Sequence, residues 1–361
     1  MYYDGGAEDS DDEWFYSSFK RYDDLSMYNV QGSISSMALK GNSKLLLASS
    51  RGQHHEILEL SVPKKIIAGK DSGLTRDRDF GVLTGGYTTG LVKRILPLQA
   101  GVVTSESTGI NFYSIPNSLD DTDIIMLKQV IKKDVESYPI ADANSVVYYG
   151  IDISDVVTYD LSSETSKNIS LVPDSTESLS KDINSGAIGD LCSKYGNIYI
   201  CLNHSGNVLI FDPRKNHLLQ KGIYCEPLGG RWTLDVSDSG HYVATFGSNG
   251  CLRLYDSRNF NKFLWNKDFK VQEEFKSKSD ECICVKLSPH NNLVSVSGID
   301  RNIHISGINE IPKDDNLFIH DGHRDREIQS ISTHLWHPEQ ENLLFSADDT
   351  GQLQAWRFKG S

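Results

Sequence analysis

Paired histidines, paired cysteines and facing carboxylates are the groups from which catalytic and metal sites are built. This sequence places few of them usefully. His334 and His337 flank Trp336 in a strand-like run. Alternation along a strand sends them to opposite faces, which is wrong for shared metal ligation. His54-His55 lies in a turn-like stretch with Glu56 as its acidic neighbour. Cys282 and Cys284 share a strand face, and alternation suggests that the face is buried. The six cysteines contain no Cys-x-x-Cys pair, so reduced core thiols are expected rather than zinc-ribbon or thioredoxin chemistry. The chain has no Gly-x-Ser-x-Gly elbow, Walker loop or His-Glu-x-x-His pair. Carboxylates are plentiful, but sequence alone sets no pair across a cleft. The expectation is a protein that is not an enzyme and has no catalytic residues, metal or cofactor.

Binding features are more informative. Met1 to Glu13 holds six acids and no base, and the whole chain of 361 residues carries a net charge of −13. That excess acid argues against nucleic-acid binding, which needs a basic stripe. No apolar run approaches the roughly 20 residues that cross a bilayer. Residues 1–13 read as a flexible acidic tail and residues 14–26 as a helix, with Ser10-Asp11-Asp12-Glu13 as a capping box. Trp14, Phe15, Phe19 and Tyr22 fall on one arc of that helix. They either pack on the rest of the protein or dock a partner. Pro63 to Gly90 forms a locally basic stretch, with Arg76 and Arg78 among its cations, and ends in Gly85-Gly86-Tyr87. It reads as a solvated loop or a recognition loop.

The elements that would hold these residues are short strands. Helical spacing of apolar residues is almost absent after residue 25, and short apolar runs punctuated by Gly, Asn, Asp and Ser recur to the end. Four segments, from Ala187, Arg231, Cys282 and Thr333, align on one another as strand, turn, strand, tight turn, strand. Gly206, Gly250 and Gly351 each precede an aromatic, Phe211, Tyr255 and Trp356, by five residues. Weaker copies start at Ile34, Leu91 and Asn144. Equivalent third-strand positions are Leu60, Tyr113, Tyr159, Phe211, Tyr255, Ser306 and Trp356, at intervals of 44 to 53 residues. Seven such units predict an all-β fold: a single seven-bladed WD-type β-propeller over residues 27–361, with a short N-terminal helix. The last unit lacks a fourth strand, which Met27 to Val30 can supply, tying the two ends together and hiding an open edge. Ser163 to Ser185 reads as a long inter-strand loop.

The last unit carries the fuller WD signature. Gly322-His323, Ser346, Trp356 and Asp348, with Asp349 as the alternative aspartate, match the buried His-Ser-Trp-Asp set that locks a WD blade. The other units lack the Gly-His pair. Phe211-Asp212-Pro213-Arg214 and Tyr255-Asp256-Ser257-Arg258 are similar to the motif by which some WD proteins dock on the adaptor of a cullin-type ubiquitin ligase. Asp212, Arg214, Asp256 and Arg258 would be its residues, and the alternative function is therefore a ligase substrate receptor.

Asp-Glu-Trp followed by Tyr22, Asn29-Val30-Gln31-Gly32, Arg78-Asp79-Phe80 with Gly85-Gly86-Tyr87, and Thr333-His334-Leu335-Trp336-His337-Pro338 with Leu343-Leu344 and Ser346-Ala347 resemble the WD repeat-containing protein 73 family. The resemblance spans nearly the whole chain and is loosest in the middle blades. Trp356-Arg357 departs from the family's Trp-Asp. The resemblance implies a non-catalytic scaffold that binds the RNA-cleaving endonuclease subunits of the Integrator complex together with a HEAT-repeat partner, and has a link to tubulin. It also implies a cytoplasmic protein that reaches spindle poles, the cleavage furrow and the nucleus. Direct contact with nucleic acid or membrane is not expected, and the propeller itself is expected to be monomeric.

Overall fold

The computed structural model describes residues 8–68, 79–99, 101–116, 124–133, 139–143, 145–171, 186–214, 217–221, 229–275, 282–308, 316–324 and 330–359. They form seven antiparallel sheets of four strands each. Counted from the innermost strand outward, blade 1 is Ser33–Lys40, Lys44–Arg51, His54–Ser61 and Gly81–Tyr87, and blade 2 is Val92–Leu98, Gly101–Glu106, Gly109–Ser114 and Met126–Lys133. Blade 3 is Ile140–Ala143, Val146–Tyr149, Val156–Asp160 and Thr165–Ile169. Blade 4 is Ile188–Lys194, Asn197–Leu202, Val208–Asp212 and His217–Lys221. Blade 5 is Trp232–Val236, Tyr242–Gly247, Cys251–Asp256 and Asn259–Asp268, and blade 6 is Cys284–Leu287, Leu293–Ser297, Ile303–Gly307 and Phe318–His320. Blade 7 combines Ile331–Trp336, Leu343–Asp348 and Gln352–Phe358 with an outermost strand from the other end of the chain, Tyr22–Asn29. All seven third-strand positions read from the sequence lie in third strands. Each tight-turn glycine has a left-handed backbone, Gly206 at φ 67°, Gly250 at 88° and Gly351 at 97°, a region costly for other residues.

Apolar side chains fill the spaces between blades, with one buried cluster for every neighbouring pair. Blade 7 meets blade 1 through Leu343, Phe345 and Leu353 against Leu45, Leu47 and Leu60. This layer closes the ring, so each blade packs against a neighbour on both sides. Closure also works along the strand: Tyr22↔Phe358, Leu25↔Trp356 and Asn29↔Gln352 are in register. Val30 N–H donates to Gly351 O at 2.8 Å. A Cβ on Gly351 would lie 2.3 Å from Gly32 O, so this junction admits only glycine.

Several boundaries differ from the sequence expectation. The helix is Glu8–Arg21, so Ser10 lies inside it rather than capping it, and the closing strand starts at Tyr22, not Met27. Residues 8–13 are thus helix and not tail, while residues 1–7 lie outside the described residues. Pairing with Gln352–Phe358 outweighs the helical spacing of Tyr22, because the strand buries Tyr22 against Phe318 and Trp356. The stretch from Ser163 is not all loop: Thr165–Ile169 is the outer strand of blade 3, and residues 172–185 lie outside the described residues. The Pro63 to Gly90 stretch likewise contains the outer strand of blade 1, Gly81–Tyr87. A Cβ on Gly86 would lie 2.1 Å from Ile125 O and one on Gly85 2.8 Å from Leu58 Cδ2, so both positions are crowded for a larger residue.

The innermost strands surround a central channel of 1400 Å³. Three of its carboxylates are held in ion pairs: Asp190 with Arg94, Asp238 with Lys194 at 2.6 Å, and Asp235 with Lys286 at 3.9 Å. Arg94 reaches from blade 2 to blade 4, also donating to Leu191 O at 2.7 Å. It can do so because the inner strand of blade 3 has only four residues against seven in each neighbour. Cys282 and Cys284 are half-exposed beside this channel rather than buried. The fully buried thiols are Cys201 and Cys251, and all described cysteines are free.

Candidate interaction surface and the blade locks

The residues proposed to lock blade 7 are brought together in its interior. His323 bonds Asp348 Oδ2 through Nδ1 at 2.6 Å and Ser346 Oγ through Nε2 at 2.8 Å, and Trp356 Nε1–H donates to the same Ser346 Oγ at 3.0 Å. Asp348, not Asp349, is the aspartate. Burial pushes the Asp348 carboxyl up, but His323, Thr350 and the Gln352 N–H more than offset it, and its pKa falls below the usual value. Two residues extend this set. His320 stacks on Trp356 at 4.0 Å between ring centroids and 3° between planes, and Tyr22 Oη lies 2.9 Å from His320 Nδ1. Tyr22 is buried. It therefore belongs to the lock and is not a partner-binding residue, a correction to its placement on the helix arc. Arg357 replaces the usual aspartate after the tryptophan. It reaches Asp24 at 3.5 Å and donates to Ile66 O at 3.1 Å, so it ties the last strand to the first and to blade 1.

The two histidines around Trp336 are structural. His334 is completely buried between Ser295 Oγ, 2.8 Å from Nε2, and Ser297 Oγ, 3.0 Å from Nδ1. Burial first, and then Lys286, lower its pKa to about 3. An unfolded chain protonates this ring from about pH 6.5, whereas the native ring stays neutral until about pH 3. The stability contributed by the neutral ring is therefore complete above pH 6.5 and is lost as pH falls toward 3, by about 1.4 kcal/mol per unit for one such group. Urea titrations at pH 7, 6, 5 and 4 should show this decline, and a His334→Gln variant should show a shallower one. Equal slopes in the two proteins would reject this assignment.

The N-terminal helix divides its aromatics between two faces. Trp14, Ser18 and Arg21 recur at helical spacing on the inner side. Trp14 Nε1–H donates to Asp321 Oδ1 at 3.0 Å, and Arg21 holds both Asp321 oxygens at 2.9 and 3.0 Å. The Arg324 guanidinium lies 5.2 Å from the Trp14 ring centroid. Lys359 Nζ donates to Phe19 O at 2.6 Å, fastening the C-terminal end. Phe15, Tyr16 and Phe19 point outward and are 52%, 70% and 60% exposed. They contact one another edge to face, Phe15 with Phe19 at 5.0 Å and Phe15 with Tyr16 at 5.7 Å. The choice between packing and docking thus falls residue by residue: Trp14 and Tyr22 pack, while Phe15 and Phe19 do not. Tyr16 was missed, although it stands one position after Phe15.

Of the other sequence candidates, Arg76 and Arg78 lie outside the described residues. Arg214 and Arg258 each fold back on their own aspartate. Arg214 meets Asp212 at 2.9 and 3.1 Å, and Arg258 meets Asp256 at 2.9 and 2.6 Å. Hydrogen bonding to Arg258 lowers the Asp256 pKa to about 2. The aromatic-Asp-x-Arg pattern therefore builds a closed turn after the third strand in both blades. Among the described residues no group of three or more His, Cys, Asp and Glu side chains is placed to hold a metal.

Blade 2 has a lock that sequence reasoning missed. Glu106 is fully buried and accepts hydrogen bonds from Thr89 Oγ1 at 2.6 Å, Gly90 N at 2.9 Å, Thr104 Oγ1 at 2.6 Å and Tyr113 Oη at 2.8 Å. Tyr113 occupies the position of Trp356. Burial, with Glu106 next in importance, raises its phenol pKa. A carboxylate at the end of the second strand here does the work of the His-Ser pair, and the clue was a glutamate closing the strand Gly101–Glu106.

No protein-family model matches this sequence. Among curated proteins it is 25% identical to the Integrator complex assembly factor WDR73 of Danio rerio, over 97% of each chain. It is 25% identical to the protein of that name from Mus musculus and 23% identical to that from Homo sapiens, each over 96% of this chain and 97% of the other. The chain is similar to the WDR73 proteins along almost its whole length. The match runs along nearly the whole of both chains, so it is not a likeness of one repeat.

Proposed function

We propose that this propeller is a non-catalytic scaffold that binds subunits of the Integrator complex and helps assemble them, holding the RNA-cleaving subunits before they act. The observation that carries this reading is the match along almost the whole of both chains to proteins named as Integrator assembly factors. The structure is compatible with it: the buried polar groups described above serve to lock blades, and Asp190, Asp238 and Asp235 of the channel are paired with Arg94, Lys194 and Lys286. In this reading the complex forms in the cytoplasm and includes a HEAT-repeat protein.

Affinity purification of the tagged full chain from cytosol at gentle salt tests the proposal. The nuclease subunits of Integrator should copurify in stoichiometric amounts. A well-folded preparation that retains none of them would end this reading.

A further inference from the structure

We infer that the outward face of the N-terminal helix is a docking element that inserts Phe15, Tyr16 and Phe19 into an apolar groove with a basic rim on a partner protein. This rests on the assembly reading and names the surface that would carry it. The argument begins with how the helix is held. A 14-residue helix is marginal alone, so its place depends on tertiary contacts. Those contacts are polar and come from one side: Trp14 and Arg21 on Asp321, Arg324 on the Trp14 ring, and Lys359 on the Phe19 carbonyl. Asp321 and Arg324 flank His323, so the helix is attached beside a residue that the blade 7 lock holds in place. Packing therefore does not need the three outward rings. They remain a contiguous, mutually supported aromatic patch on a fixed backbone, an arrangement that loses little side-chain freedom on binding.

Charge selects the occupant. Asp12 lies one turn before Phe15 and Tyr16, on the same side, and both it and Glu13 are exposed. The thirteen residues from Met1 to Glu13 carry six acids and no base. A second copy of this chain would bring the same acidic segment against the first within a net −13 protein, and like charges oppose that contact. An anionic lipid surface is disfavoured for the same reason. A groove that accepts aromatics at positions i, i+1 and i+4 and surrounds them with Lys or Arg satisfies both the apolar and the acidic parts.

The test uses the full chain and purified Integrator nuclease subunits, with binding measured by interferometry at two salt concentrations. The Phe15→Ala/Tyr16→Ala/Phe19→Ala variant should bind at least about 30-fold more weakly. Its melting temperature and the NMR resonance of the Trp14 indole N–H, which donates to Asp321, should match the wild type, showing that the helix stays docked. Asp12→Lys/Glu13→Lys should weaken binding several-fold at low salt, with the difference shrinking at high salt. Wild-type affinity in the triple variant overturns the helix proposal and leaves the assembly reading standing. Failure of the wild type to bind overturns both. A wild-type dimer that the triple variant converts to monomer, or wild-type flotation with phosphatidylserine vesicles that the variant loses, would assign the patch to another occupant and likewise overturn it.

Discussion

Replacing Glu106 with alanine lowers the unfolding free energy by about 3–5 kcal/mol, the range for removing one partner from a buried charged network. The reason is the number of groups left behind. Two threonine hydroxyls, a phenol and a backbone N–H all donate to this one carboxyl in a site closed to water. Each orphaned donor would carry a desolvation penalty with no compensating bond. Glu106→Gln tests the chemistry rather than the space. It keeps the volume but turns one acceptor oxygen into an NH₂ facing donors, so it should cost about 1–3 kcal/mol. Urea unfolding of the two variants at neutral pH checks this. A loss below about 1 kcal/mol for alanine would mean that Glu106 is not the centre of blade 2.

Trp356→Ala should be comparably damaging, at about 3–5 kcal/mol for a truncated core aromatic. Trp356 is fully buried, stacks on His320 and Phe318, and holds Ser346, which in turn holds His323. It also faces Leu25 across the closing strand pair, so its loss loosens the only sheet that joins the two ends of the described chain. Trp356→Phe retains most of the ring and loses the N–H, and should cost about 1–3 kcal/mol. The truncation should therefore also speed proteolysis between the helix and the closing strand, more than Trp356→Phe does. If both variants were equally stable, neither the stack nor the lock would be holding the ring closed.

Much of the architecture was legible because it is local. A left-handed turn needs glycine, and the strands on either side must supply apolar residues to both faces of a blade. Gly206, Gly250 and Gly351, with Phe211, Tyr255 and Trp356 five residues on, therefore declare three blades without any knowledge of the rest. The lock around His323 was legible for a related reason: histidine, serine, tryptophan and aspartate at those separations have few other uses in a short-stranded repeat. Blade 2 was harder, because glutamate at the end of a strand looks like a solvated residue until the neighbouring donors are seen.

The sequence by itself determined seven short-stranded units, the need for an extra strand to complete the seventh, the concentration of acid at the N-terminus and the absence of familiar catalytic motifs. These are properties of composition and spacing, which survive without coordinates. Only the tertiary structure decided where the helix stops and the strand begins, which aromatics point outward, and which carboxylate anchors each blade. Trp14, Phe15, Phe19 and Tyr22 fit one helical arc equally well on paper. The pairing of Tyr22–Asn29 with Gln352–Phe358 and the grip of Asp321 on Trp14 and Arg21 break that equivalence. Both contacts join residues 300 or more positions apart in the chain, and no local periodicity carries information over such a separation.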